Sequence, residues 1–318
     1  MPDVIPGIVP MGVRPQFKRI KPYLKSYTRG FDEAMYEEKL ANLQRYAAEG
    51  DGFRYGVFSD GTPIPFRFST AFTELVGVHW VLRWFAIQGS LSGAADWQPQ
   101  WQRSVAYGYW AYRMDLQPER DRAARFFKNI VSNLANCLVL GWQEWATDQA
   151  RRVLHGFDRK GVFYNNRTQM FADYHERAHL RTQTFVLRLI ADWQGWPQHA
   201  WPKWVFDEPI FNALIEHWRT PDASALQPLL IAACDRHTHE SRSGGTAKHD
   251  IEDDAFWYDP FEVLTVTKLR QLQGLENPDV DHLLMSTPLG KLPDPVAPYS
   301  DALLEGVLAR VRSTHPDF

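Results

Sequence analysis

The run STAFTELVGVHWVLRWFAIQ, residues 69–88, decides the fold class. It is strongly apolar, free of proline and too long for an ordinary strand, so it is predicted as a helix, with Gly89 at the stop position. Working outward, the same reading repeats along the chain. Residues 32–49 are rich in helix formers and end at Gly50. Further helices are predicted over about 99–114, 118–140, 142–155, 172–194, 208–219, 223–239, 260–273 and 300–313, with Gly141, Gly156, Gly195 and Gly274 as stops. The helix at 260 has the plainest ends: Asp259 as N-cap, Pro260 at the first helical position and Gly274 beyond the end. Residues 50–68 read as irregular, with GDG and DGTPIP turn signals, and FDRKGVFYNNRT at 157–168 as a turn or short hairpin. No repeat of solenoid length is present. The expected fold is all-α: a two-lobed helical bundle of about ten helices with an irregular N-terminal arm.

The domain reading places the arm, first helix and irregular segment in 1–66, an N-terminal helical lobe in 67–197 and a C-terminal helical lobe in 198–318. The proline-broken stretch GWPQHAWPKWVFDEP, 195–209, is the expected linker. The arm carries Arg14, Lys18, Arg19, Lys21, Lys25 and Arg29 with no acid between Asp3 and Asp32. It reads either as a solvated lead-in lying loosely on the body or as an anion-binding tail.

Composition narrows the function classes. Of 318 residues, 44% are hydrophobic and 23% charged, which suits a globular chain. The net charge of -3 lacks the basic surplus that phosphate binding demands, so nucleic acid is not expected as a partner. No stretch reaches the roughly 18 apolar residues of a membrane span, and the first residues do not form a signal peptide. Cys137 and Cys234 each sit among apolar neighbours and read as buried thiols, so the expected location is the cytoplasm. Thirteen tryptophans and twelve tyrosines can fill a core, and they also suit a protein-binding surface.

Four motifs invite chemistry. His175-Glu176-Arg177-Ala178-His179 matches H-E-x-x-H, in which two histidines four apart on a helix meet one zinc ion and the glutamate serves as base. Arg177 opposes a divalent cation, and no third ligand stands at a familiar spacing, so helix-edge packing is the preferred reading. Asp253, Asp254 and Asp259 resemble the aspartate-rich magnesium motif of terpene synthases, but Pro260 starts a new helix directly after them and no second metal motif follows. His237, His239, Glu240 and His249 read as an exposed polar loop in preference to a metal site. The acid cluster Asp250, Glu252, Asp253, Asp254, Asp259 and Glu262 encloses Phe256, Trp257 and Tyr258. It is either a docking patch for a basic protein or a helix entry with rings inward and acids outward. No nucleophile elbow, phosphate-binding loop or Rossmann glycine pattern is present, and no cofactor is expected.

The C-terminal half runs through WPKW (201–204), an apolar helix ending in HTHESRSGG (237–245), the acidic loop and FWYDPFEVLTVTKLRQLQGLENP (256–278). This order resembles the polymorphic-nuclease immunity proteins, and TELVGVHWVLRWFAIQGSLSGAADWQPQWQRSVAYGYW (73–110) resembles their N-terminal helical module. The long arm and residues 288–318 depart from the pattern. The resemblance implies a cytoplasmic, helical, non-enzymatic protein that binds a cognate toxin 1:1, often one delivered by a type VI secretion system. A nuclease site is basic because it holds phosphates, so an acidic inhibitor is steered onto it. The expected partner-binding residues are then Asp250, Glu252, Asp253, Asp254, Trp257 and Tyr258. The alternative is a zinc-dependent hydrolase using His175, Glu176 and His179. A homodimer is left open.

Overall fold

The computed structural model describes residues 8, 11–19, 23–24, 33–57, 59–117, 127–158, 180–197, 199–201, 203–243, 249–316 and 318. Among them the chain is predominantly α-helical. The helices are α1 (Glu33–Glu49), α2 (Phe68–Ser92), α3 (Trp97–Asp115), α4 (Phe127–Val139), α5 (Gln143–Asp158) and α6 (Arg181–Trp193). They continue with α7 (Pro209–His217), α8 (Ala223–Glu240), α9 (Phe261–Leu272), the short α10 (Leu283–Ser286) and α11 (Ala302–Thr314). The apolar run 69–88 lies within α2, which packs along α3. Helix α4 then bridges α3, α5 and α9, while α11 returns to α1.

Several helix ends differ from expectation. Helix α2 passes through Gly89 and stops at Gly93, whose φ of 82° is the left-handed conformation that glycine adopts without cost. Gly89 instead permits close approach: a Cβ there would stand 2.9 Å from the Cβ of Trp97. Gly156 also lies inside its helix rather than after it. A helical glycine costs only about 1 kcal/mol against alanine, and α5 packs on α4. Helices α4 and α6 keep their predicted C-terminal ends, while residues 118–126 and 171–179 lie outside the described set.

The region read as irregular holds the hairpin β1 (Arg54–Val57) and β2 (Pro63–Pro65). Arg54 pairs with Pro65 and Val57 with Pro63, and a bulge lies between Arg54 and Gly56. The turn signals were read correctly, but the four- and three-residue strands are too short to show an alternating pattern. Most of the hairpin expected at 157–168 lies outside the described residues.

The expected division at 197/198 is not an edge of the core. Buried apolar residues form one cluster that runs from Leu43 and Leu82 through Leu187, Phe211 and Leu264 to Val311. The expected linker is tied in: Val205 is buried, and its carbonyl accepts from Arg188 Nη1 at 3.2 Å. Cys137 and Cys234 are free and buried, and burial pushes both thiols well above their ordinary pKa. No helix among the described residues is long and apolar enough to cross a membrane.

Candidate functional site

The acidic segment 249–260 joins the end of α8 to the start of α9, and three buried charge contacts hold it from below. In the first, Arg236 in the last turns of α8 lies 2.7 Å from Asp250 Oδ2 through Nη2 and 2.5 Å from Glu208 Oε2 through Nε. Thr182 at the start of α6 donates to the same Asp250 oxygen from its amide (2.9 Å) and its hydroxyl (2.8 Å). Burial opposes the Arg236 charge, but the two carboxylates outweigh it and hold the guanidinium protonated.

The second contact is His237. Its Nδ1 lies 2.8 Å from Glu262 Oε1, and its Nε2 lies 3.1 Å from the carbonyl oxygens of both Phe256 and Trp257. Both ring nitrogens face acceptors, an arrangement that favours the imidazolium form. Burial alone would lower the His237 pKa, but the Glu262 carboxylate reverses this and raises it.

The third contact reaches across the molecule. Arg83, in the middle of α2, meets Asp259 Oδ2 through Nη2 at 2.6 Å and the Ala255 carbonyl through Nε at 3.1 Å. Its guanidinium carbon lies 3.8 Å from the centre of the Phe256 ring. Asn136 of α4 donates to the same Asp259 oxygen at 3.0 Å. Asp259 is therefore not the N-cap of α9; Pro260 takes that position. The buried Arg83 guanidinium holds the Asp259 carboxylate in place of the amides at the start of α9, because charge-assisted bonds strengthen away from water.

Above this base the chain makes a 3-10 turn, Asp254–Phe256, capped by Asp253, whose Oδ1 accepts from the Ala255 amide at 3.0 Å. The six expected partner-binding residues divide here. Asp250 is fully buried and Tyr258 is 2% exposed, so neither can steer or anchor a partner, which corrects the expectation for both. Asp250 faces inward because Arg236 and Thr182 require its charge, and Tyr258 because its hydroxyl donates to the Phe17 carbonyl at 3.0 Å. Glu252 pairs with Lys128 Nζ at 3.1 Å. Asp253, Asp254 and Trp257 are partly buried and keep some exposure on the turn. Burial, with Asp253 beside it, pushes Asp254 up to about 6, and burial also raises Asp253.

The described part of the N-terminal arm crosses this turn and is not a loose lead-in. Tyr23 stacks on Trp257 with ring centres 5.9 Å apart, and Phe17 lies 5.1 Å from Tyr258. The Tyr23 hydroxyl donates to the Asp254 carbonyl at 2.7 Å. The Gly12 amide donates to Asp235 Oδ2 at 2.9 Å, and Arg14 donates from its amide to Thr238 Oγ1 at 3.0 Å and from Nη1 to the Ser241 carbonyl at 2.5 Å.

The histidine-rich motif does not converge. His237 is buried, His239 Nε2 lies 3.0 Å from the Gly12 carbonyl, and His249 lies 3.6 Å from Glu240. This corrects the reading of an exposed loop for His237. Among the described residues no group of three or more His, Cys, Asp or Glu side chains is placed to hold a metal ion. His175, Glu176 and His179 lie outside the described residues.

Arg83, Asn136, Thr182 and Arg236 were not singled out from the sequence. Arg83 carried one readable signal: a cation in the middle of the most apolar helix must find a buried acceptor. Comparison with known proteins finds no matching family model, no matching curated protein and no matching solved structure.

Proposed function

We propose that the protein is an immunity protein that binds a cognate secreted bacterial toxin 1:1 and occludes its active site, the toxin being a nuclease. One observation carries this reading: Asp253 and Asp254 stand together on a turn braced from below by buried ion pairs, with Trp257 beside them. Burial raises both carboxyls, and no salt bridge to either occurs among the described residues. Acids kept at an energetic cost on a rigid support suit recognition of a basic partner. A nuclease cleft is such a partner, since its cations must hold phosphate. Trp257 supplies the aromatic anchor, and acid–base complementarity supplies fast encounter. In this reading the protein works in the cytoplasm, contacts neither nucleic acid nor membrane, and performs no catalysis.

The test is a calorimetric titration against the product of the adjacent gene, with metal content measured on the same sample. Nanomolar 1:1 binding by metal-free protein is the expected result. Absence of binding, together with about one zinc per chain, would overturn the proposal and turn attention to His175 and His179.

A further inference from the structure

The described part of the arm lies over the turn that the proposed function gives to the toxin, and side chains make its contacts with the body. Its own backbone bonds, Phe17 amide to Arg14 carbonyl and Arg19 amide to Gln16 carbonyl, are internal to the 3-10 turn Pro15–Lys18. No backbone–backbone hydrogen bond joins it to the body among the described residues. It is held instead by side-chain bonds, by Phe17 and Tyr23 against Trp257 and Tyr258, and by the exposed contact of His239 with the Gly12 carbonyl. Burial of two rings and a few such bonds is of the same order as the entropy lost in ordering the segment. The fit is also incomplete. The Trp257 indole N–H is shielded from solvent and has no acceptor among the described residues. A chain segment that offered one there would bind the same turn better than the arm does.

We propose that the arm is a displaceable strap over the acid–aromatic turn, and that the segment replacing it is an extended basic stretch of the partner carrying an aromatic ring. The strap resembles such a segment in its chemistry: Arg14, Lys18 and Arg19 alternate with Phe17 and Tyr23, and it meets a turn bearing Asp253 and Asp254. The identity of the displacing partner rests on the immunity reading; the strap does not. Where the strap is closed nine-tenths of the time, it weakens apparent partner affinity about tenfold. The toxin then binds tightly only when it supplies enough contact to open it, which makes the strap a filter against weak basic proteins.

The experiment uses the full chain carrying Phe17→Ala and Tyr23→Ala, with a synthetic peptide of residues 8–26 as probe. The double variant is expected to bind the peptide in trans, with a change in tryptophan emission that Trp257→Phe removes, while the wild type binds none. It is also expected to bind the toxin about tenfold more tightly. Hydrogen exchange on the wild type keeps the strap testable if the variant unfolds: the Gly12 and Arg14 amides should exchange far faster than those of α9. Arm amides as slow as α9, or a folded variant that ignores the peptide, overturns the strap. Weaker toxin binding by the folded variant also overturns it, by making the arm part of the interface. If neither form binds the toxin, the immunity reading fails while the peptide and exchange results still decide the strap.

Discussion

The two sides of the acidic segment contain the same chemistry and meet opposite fates. On the inner side, Asp250, Asp259 and Glu262 are fully buried, and each faces a cation: Arg236, Arg83 and His237. On the outer side, Asp253 and Asp254 have no salt bridge among the described residues, and burial raises both carboxyls. Inner acids hold the segment to α2 and α8. Outer acids are a cost that the inner ones sustain. The comparison teaches that charge density along the sequence does not identify a binding surface; the distribution of partnered cations does.

The most severe break is on the inner side. Arg83→Ala leaves Asp259 buried without its cation, and stability should fall by about 3–5 kcal/mol. Urea unfolding checks this, and a loss under 1 kcal/mol would mean that water reaches Asp259. Next is His237→Gln, with an expected loss of about 1–3 kcal/mol as Glu262 loses its charged donor. The pH dependence sharpens it. The folded-state pKa of His237 lies above its unfolded value near 6.5, so its contribution is complete below about pH 6.5 and fades as pH rises through the folded value. The gap between wild type and variant should therefore narrow at alkaline pH; a constant gap would show that the charge plays no part.

The outer side should respond in binding rather than folding. Asp253→Lys with Asp254→Lys is expected to slow toxin association about tenfold or more at low salt, read on protein shown to be folded at the assay temperature. Unchanged association would remove this turn from the interface. The smallest effect is Asp254→Asn. Its carboxyl is raised to about 6, so ionisation costs the folded state stability as pH rises from about 4 to 6. Removing the charge should raise the melting temperature by about 1–3 °C at pH 7 and by nothing at pH 4, as followed by circular dichroism.

Much of this was legible from the chain. The start of α9 to within one residue of Pro260, its stop at Gly274 and the reading of 223–239 as a helix ending in histidines all rest on neighbours within a few residues. The capping role given to Asp259 followed the same local logic and failed, because its partner Arg83 lies 176 residues earlier in the chain. The hairpin at β1 and β2 was missed for want of length. Tyr23 could not be matched to Trp257, since nothing in a proline-broken arm states where it lies.

By itself, the sequence determined the all-α class, the position of most helices and the burial of both thiols. Helical period, caps and glycine stops act over one or two turns, and apolar runs leave water whatever covers them. Tertiary structure alone decided which of six clustered acids face inward, that the His237 pKa is raised, and that the two expected lobes share one core. Each of these depends on the local dielectric and on a partner brought from another helix, and neither exists until the chain has folded.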